Sequence, residues 1–271
     1  MKVTILGCGG SAGVPMIGGD DGSGIWGCCD PSEPRNRRTR ASIFLEMDNG
    51  ENILIDTGPD LRHQLLSNGI SAFRWLFFTH AHADHVAGLD DVRGINRVIK
   101  EPIKAFARRE TLDDIRNKFG YVFQPWTPPS FFRAVVEANC LPDYGHFNMA
   151  GYRFTIFGQI HGKVSSAGLR CGRFAYSTDV VELSDQALEA LAGVETWVVG
   201  CFQREPHVAH AWLERIVEWQ AIIKPQRIIL THMGPDMDWQ WMEKNLPSGI
   251  EAAWDGMKLS LPQAERGMEE I

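Results

Sequence analysis

An α/β fold built from two similar halves is predicted by three observations. First, Arg74-Trp-Leu-Phe-Phe-Thr-His80 and Arg227-Ile-Ile-Leu-Thr-His232 repeat one pattern, a basic residue, an apolar strand and then Thr-His. Second, short apolar runs that read as buried strands alternate with stretches of helical period along the chain. Third, Thr79-His-Ala-His-Ala-Asp-His85 places three imidazoles and one carboxylate directly after the apolar run Trp75-Leu-Phe-Phe78. A buried strand that ends in metal-competent side chains puts a site at the seam between the halves.

The chain opens with a strand over residues 2–8 and a Gly-rich turn from Gly7 to Gly13. That turn lacks the Lys-Ser/Thr ending and following helix of a P-loop, so it reads as a tight structural loop near the site. Residues 15–34 are loop by composition, rich in Gly, Asp and Pro, and suited to folding over a pocket mouth. Arg35-Asn-Arg-Arg-Thr-Arg40 is the basic run of an acidic chain. It suits either charge-assisted contact with a phosphorylated substrate or ion pairs along a strand edge. Residues 41–47 and 52–56 flank Asp48-Asn-Gly50 as a hairpin. Asp56 ends a buried strand, where a carboxylate without partners is costly. It is therefore expected to bond the neighbouring loop or a ligand imidazole rather than a cation.

Leu61–Ser67 reads as a short helix with His63 on its surface. After the His cluster come a helix exposing Asp90, Asp91 and Arg93, a strand over 103–106 and a helical stretch over 109–118. In residues 119–147 the aromatics Tyr121, Phe123, Trp126, Phe131 and Phe132 interleave with Pro125, Pro128 and Pro129. This is expected to be a substrate-facing insertion or a subunit contact. Residues 152–157, 173–176 and 196–200 are strands of the second half. A helix is expected from Pro206-His207 through Ile222, with Trp212, Leu213, Ile216 and Trp219 on one face. His207 and His210, three apart, then turn to one side at its start. Trp241 and Trp254 in the tail read as core.

In an extended segment His80 and His82 point the same way, because side chains repeat every two residues. Asp84 and His85 fall where the chain turns into the next helix, on another side of the same pocket. That arrangement suits two cations better than one.

His80-x-His82-x-Asp84-His85 resembles the signature of the metallo-β-lactamase fold hydrolases. The resemblance implies a four-layer αββα sandwich, here one domain over residues 1–271. It also implies three later ligands: His161 in Gln159-Ile-His-Gly162, Asp179 in Phe174-Ala-Tyr-Ser-Thr-Asp179 and His232 in Ile228-Ile-Leu-Thr-His-Met233. One metal would be held by His80, His82 and His161 and the other by Asp84, His85 and His232, with Asp179 shared. Zn²⁺ is the expected ion, Mn²⁺ and Fe²⁺ also fitting such a nitrogen-rich set with carboxylates.

Within that family the chain is most similar to the cyclic phosphodiesterases of the carbon–phosphorus lyase pathway, which act on a phosphoribosyl cyclic phosphate. The likeness rests on Gly7-Cys-Gly-Gly-Ser-Ala-Gly-Val-Pro15, on His210 placed 22 residues before His232, and on Leu246-Pro-Ser-Gly-Ile-Glu251 followed by Trp254-Asp-Gly-Met257. It implies hydrolysis of a small cyclic phosphodiester, with Asp84 and His210 as catalytic groups and His210 as general acid; His207, three residues before His210, is the candidate substrate contact from its spacing. The same likeness implies a structural zinc on three close Cys near the N-terminus and a His three residues past the last ligand. Here only Cys28 and Cys29 lie in that region and Pro235 takes the place of the His, so that zinc is not expected.

Hydrophobic residues make up 44% of the 271, enough for a large core, and no apolar run approaches the roughly 20 residues of a membrane span. Six Cys scattered through a chain of this size read as reduced thiols, and no export signal is visible, so a cytoplasmic location is expected. The net charge of −7 counts against a nucleic-acid substrate. The expected partner is a small phosphorylated molecule, with room for a homodimer. Three other readings share the metal motif: a tRNA 3′-end endonuclease, a thioester or lactone hydrolase of the glyoxalase type, and a non-catalytic metal-binding accessory of a pathway.

Overall fold

Alternation along the strands decides where the core lies. In the computed structural model, which describes residues 1–262 and Arg266, Ile53 and Ile55 join one buried cluster and Leu54 between them joins another. Phe77 is separated in the same way from Leu76 and Phe78. Period-two side chains on a sheet covered on both faces require this, and it explains why these runs are apolar throughout.

The first half runs β1 (Lys2–Gly7), β2 (Ser42–Glu46), β3 (Asn52–Ile55), α1 (Leu61–Ser67), β4 (Trp75–Phe77), α2 (Ala83–Val86), α3 (Val92–Ile99), β5 (Ile103–Arg108), α4 (Arg109–Phe119) and β6 (Val136–Leu141). The second runs β7 (Gly145–Met149), β8 (Tyr152–His161), β9 (Val164–Cys171), β10 (Phe174–Ser177), α5 (Asp185–Leu191), β11 (Thr196–Gly200), α6 (Leu213–Ile223), β12 (Arg227–Thr231) and α7 (Trp239–Asn245). The short strands β13 (Ile250–Ala252) and β14 (Lys258–Ser260) follow.

Among the described residues these strands form two seven-stranded sheets, ordered β14-β1-β2-β3-β4-β5-β6 and β13-β12-β11-β10-β9-β8-β7. Val3, Ile5 and Ile43 of the first meet Phe154, Ile156 and Tyr176 of the second in one core. Leu65 of α1, Ile95 of α3 and Leu112 and Ile115 of α4 cover the outer face of the first sheet. Ile216 and Trp219 of α6 do so for the second, Trp219 packing 5.9 Å from Trp197. Burying a side chain such as Ile216 stabilises by roughly 1.5–3 kcal/mol, so these stripes hold the helices in place. The result is the four-layer αββα sandwich.

Each sheet changes from antiparallel to parallel pairing at one strand, β3 in the first and β10 in the second. Counted from there, β4 is the first parallel neighbour in its sheet, whereas β12 is the second in its own, beyond β11. The Thr-His echo therefore joins strands that hold different places in their halves. It arises because both are buried parallel strands ending at the same site.

Two expected elements differ. Residues 119–147 end in β6, which pairs along β5, and the start of β7, so the end of the stretch is sheet edge and the aromatics at 121–132 lie in the segment before it. The loop before β6 is bonded to α3, through Arg97 to the Phe131 carbonyl and Asn96 to that of Val135. Val135 also accepts from Ile103 at the start of β5, whereas the His cluster follows the far end of the adjacent strand β4. Helix α6 begins at Leu213, not at Pro206. Residues before it are tied elsewhere, Phe202 donating to the Ala211 carbonyl and Ala211 to that of Val180, which takes their backbone out of helical register.

Candidate metal centre

The candidate groups gather where β4, β10 and β12 end, with His161 supplied by the last residue of β8. Asp56, Asp179 and His232, just past β3, β10 and β12, have positive φ of 65°, 46° and 53°. Such backbone costs on the order of 1–3 kcal/mol per residue and persists where its surroundings over-determine it. Here the amide of Asp56 is bonded to Phe77 and the carbonyl of Asp179 to Ser166.

Among the described residues three overlapping groups of potential ligands result, of which His161 with Asp179 and His210 is one; the other two, His80 with His82 and His161, and Asp84 with His85, Asp179 and His232, form the two sides of the centre. Within each, the ligand atoms lie inside 4.8 Å of one another. Asp179 faces both. Its Oδ1 is 3.4 Å from His161 Nε2, and its Oδ2 is 2.9 Å from His85 Nε2 and 3.2 Å from His232 Nε2. Asp84 Oδ2 closes the second group at 3.3 Å from His85 Nε2 and 3.5 Å from His232 Nε2. His210 stands across the seam, Nδ1 3.5 Å from Asp179 Oδ1.

An outer set of hydrogen bonds aims these rings. Asp56, fully buried, accepts from the Thr79 amide at 2.9 Å, the Thr79 hydroxyl at 2.7 Å and His85 Nδ1 at 2.7 Å. Since the Thr79 hydroxyl gives its proton to Asp56, it accepts from His80 Nδ1 at 3.1 Å. His161 Nδ1 donates to the Ala209 carbonyl at 2.7 Å. All three imidazoles thereby keep their Nε2 lone pair for the centre. Among the described residues, Nε2 of His80, His85 and His232 is buried without a hydrogen-bond partner. Buried polar atoms are nearly always satisfied, so converging orphan nitrogens beside two carboxylates fit divalent cations.

The electrostatics agree. Burial, reinforced by the neighbouring His85, drives His80 well below the usual imidazole range. Burial opposes charge on Asp179 and Asp84, yet the facing imidazoles outweigh it and hold both carboxyls far below their ordinary range. Burial opposes charge on His85, but Asp179, Asp56 and Asp84 outweigh it and raise the ring, so a cation would displace its Nε2 proton on binding. Burial and then His232 push His210 down to about 3.

The other expected residues are placed as follows. His207 accepts the backbone N–H groups of Ala209 and His210 at 3.2 Å on its Nδ1, so it shapes the turn that carries His210. The Cys28 thiol meets the Arg204–Asp236 ion pair, and Cys29 is buried with Arg38 Nη1 3.9 Å away. Thr79 and Phe202 are parts of the site that sequence reasoning missed. Thr79 had a signal, since Thr precedes His in both echo strands. Phe202, stacked 5.0 Å from His210, had none. Gly10 packs against it, a Cβ there standing 2.8 Å from the Phe202 ring and 3.6 Å from His232.

A family model described as a beta-lactamase superfamily domain matches residues 51–233. This chain belongs to the metallo-β-lactamase superfamily. The fold of that superfamily implies divalent metal ions. The crystal structure of a diphosphatase from the PhnP family superposes with a TM-score of 0.86 at 31% identity, over 98% of this chain and 99% of that one. Zn²⁺-bound PqqB from Methylobacterium extorquens shares the fold, with a TM-score of 0.71 at 18% identity over 96% of this chain and all of that one. An octanoyltransferase of Porphyromonas gingivalis is 30% identical over 270 residues, 95% of this chain. The chain spans about half (51%) of that relative's length. No helix among the described residues is long and apolar enough to cross a membrane.

Proposed function

We propose that this metallo-β-lactamase hydrolase is a phosphodiesterase working at a two-cation centre on a small phosphate ester, a cyclic phosphodiester of the phosphoribosyl type. The observation that carries the reading is Asp179, which offers one oxygen to each of the two ligand groups. Cleavage at phosphorus is supported by the whole-length likeness to a PhnP-family diphosphatase.

His80, His82 and His161 would hold one cation and Asp84, His85 and His232 the other, with Asp179 between them; Zn²⁺ fits this donor set. When bound, such a pair lowers the pKa of water toward about 7 and offers positive charge to the phosphoryl oxygens. The chain does the rest. Asp56 and Thr79 hold the His80 and His85 rings in the tautomer that presents Nε2. Asp84, kept ionised, accepts a hydrogen bond from the attacking water and orients it. His210, held between the Phe202 ring and Asp179, hands a proton to the departing alkoxide. An anionic phosphoryl group beside it raises its pKa again, and His207 keeps its turn in place.

The test is metal analysis of the purified chain, joined to assays on a cyclic ribosyl phosphate, bis(4-nitrophenyl) phosphate, a thioester and a precursor tRNA. Two cations per chain and diester turnover abolished by chelation are expected. Turnover confined to the thioester or the tRNA would sink the reading.

A further inference from the structure

The basic run at 35–40 holds four guanidinium groups, and Arg35 and Arg38 are committed to hydrogen bonds. Arg35 bonds Glu33 at 2.7 Å and Glu243 at 3.3 Å and lies over the Trp239 ring. Arg37 stacks on Trp26, and buried Arg38 donates to the carbonyls of Gly234 and Met237. Arg40 stands apart by its position. It has one ion pair, Nη1 to Asp60 at 3.1 Å, and its Nε, like that of Arg38, is buried with no hydrogen-bond partner among the described residues.

Its position links it to the centre through four glycines. Gly58 separates the base of Arg40 from the main chain at Asp84, since a Cβ there would stand 3.5 Å from Arg40 Cβ and 2.4 Å from the Asp84 carbonyl oxygen. Gly9 bridges to Arg40 on one side and to Met233 on the other, next to His232. Gly10 lies against the His232 ring, and Gly13, at φ +69°, leaves Arg40 Nη1 uncovered at 3.7 Å from where its Cβ would be. Arg40 therefore flanks the Asp84–His232 side at one residue's remove. The pocket on the opposite flank, beside His80 and His82, is lined by Glu110 and Asp114, and its Lys118 is bonded to the Ala81 carbonyl.

We infer that Arg40 receives a second phosphate of the substrate, one not attacked, on the Asp84–His232 side of the centre. This rests on the phosphoryl-hydrolase reading and deepens it. The two cations answer the charge of the reacting phosphoryl group, and a further phosphate needs its own donor. A guanidinium fork matches phosphate oxygens with paired charge-assisted hydrogen bonds. On the other flank the carboxylates of Glu110 and Asp114 would repel it, so the substrate has a fixed direction, phosphate toward Arg40 and uncharged part toward α4.

The test uses the Zn²⁺-loaded full chain and calorimetric binding of methylenediphosphonate, with two anionic groups, against methylphosphonate, with one. Arg40→Ala should weaken the diphosphonate roughly tenfold to a hundredfold, the range for a hydrogen bond to a charged group, and the monophosphonate much less. Arg40→Lys, which keeps the charge and loses the fork, should fall between. Asp60→Asn, which removes the competing carboxylate and keeps an acceptor for the Arg40 amide, should tighten the diphosphonate. Equal loss for both ligands, or none, would overturn the assignment. If Arg40→Ala does not fold, the Lys and Asn variants decide, and diphosphonate affinities unchanged in both would overturn it. Failure of wild-type protein to cleave any phosphodiester would remove the reaction assigned above, while the comparison of the two phosphonates still decides Arg40.

Discussion

The two ligand groups that meet at Asp179 are built from opposite electrostatic material. His80, His82 and His161 are imidazoles, with His82 exposed and both His80 and His82 held below the usual imidazole range by burial. Asp84, His85, Asp179 and His232 bring their own balance of charge and lie deeper, three of the four buried. The first group can offer a cation little but lone pairs; the second offers two carboxylates that are already ionised. An open, neutral position beside a closed, anionic one would divide the labour of a two-cation centre in a way that two identical positions could not.

The largest effect should come from the group they share. Asp179→Asn is expected to empty both positions and lower turnover by more than the roughly 10–100-fold typical of losing an outer partner; metal analysis showing two retained cations would break the comparison. Next, His210→Ala should keep both cations yet lose about 10²–10⁴-fold on alkyl diesters, the range of general acid catalysis, and much less on nitrophenyl leaving groups. Equal loss on both substrate types would make its role structural. His82→Ala should release one cation and His232→Ala the other, and in wild-type protein a chelator should remove the cation of the exposed group first. Release of both together would show a single coupled site. Asp56→Asn should reduce metal affinity about 10–100-fold through the His80 and His85 rings without changing which ions are bound.

The smallest effect lies away from the centre. The hydrogen bond from Arg204 lowers the Asp236 carboxyl below its ordinary value. Its contribution is therefore present above the unfolded pKa, about 4, and is lost as pH falls through the lowered folded value. Both side chains are about 30% exposed, so solvent screening limits the pair to roughly 0–1 kcal/mol. Asp236→Asn should lower the melting temperature slightly at pH 7 and leave it unchanged near pH 2; an equal shift at both would assign the cost to packing.

Residue type and position after an apolar run made His80, His82, Asp84 and His85 legible as metal ligands, whereas His161, Asp179 and His232 became legible only through the resemblance of their order and positions to the family pattern. Asp56 was legible for the same reason, a buried carboxylate being untenable alone. The helix expected from Pro206 was not. Its apolar spacing was real from Leu213 onward, but the amide and carbonyl bonds of Phe202, Ala211 and Val180 overrode it upstream. The aromatic stretch at 119–147 misled because Pro and aromatic composition says nothing about which edge of a sheet a loop serves.

Side-chain chemistry and its two-residue period are written in the sequence, and they determined by themselves the strands, the central His-Asp cluster and the need for a partner at Asp56. Which oxygen of Asp179 faces which group, which of four arginines lies beside the centre, and that Phe202 backs His210 were decided by tertiary structure alone. Those facts depend on backbone paths brought together from distant parts of the chain, through positive φ at three strand ends and glycines that permit close approach.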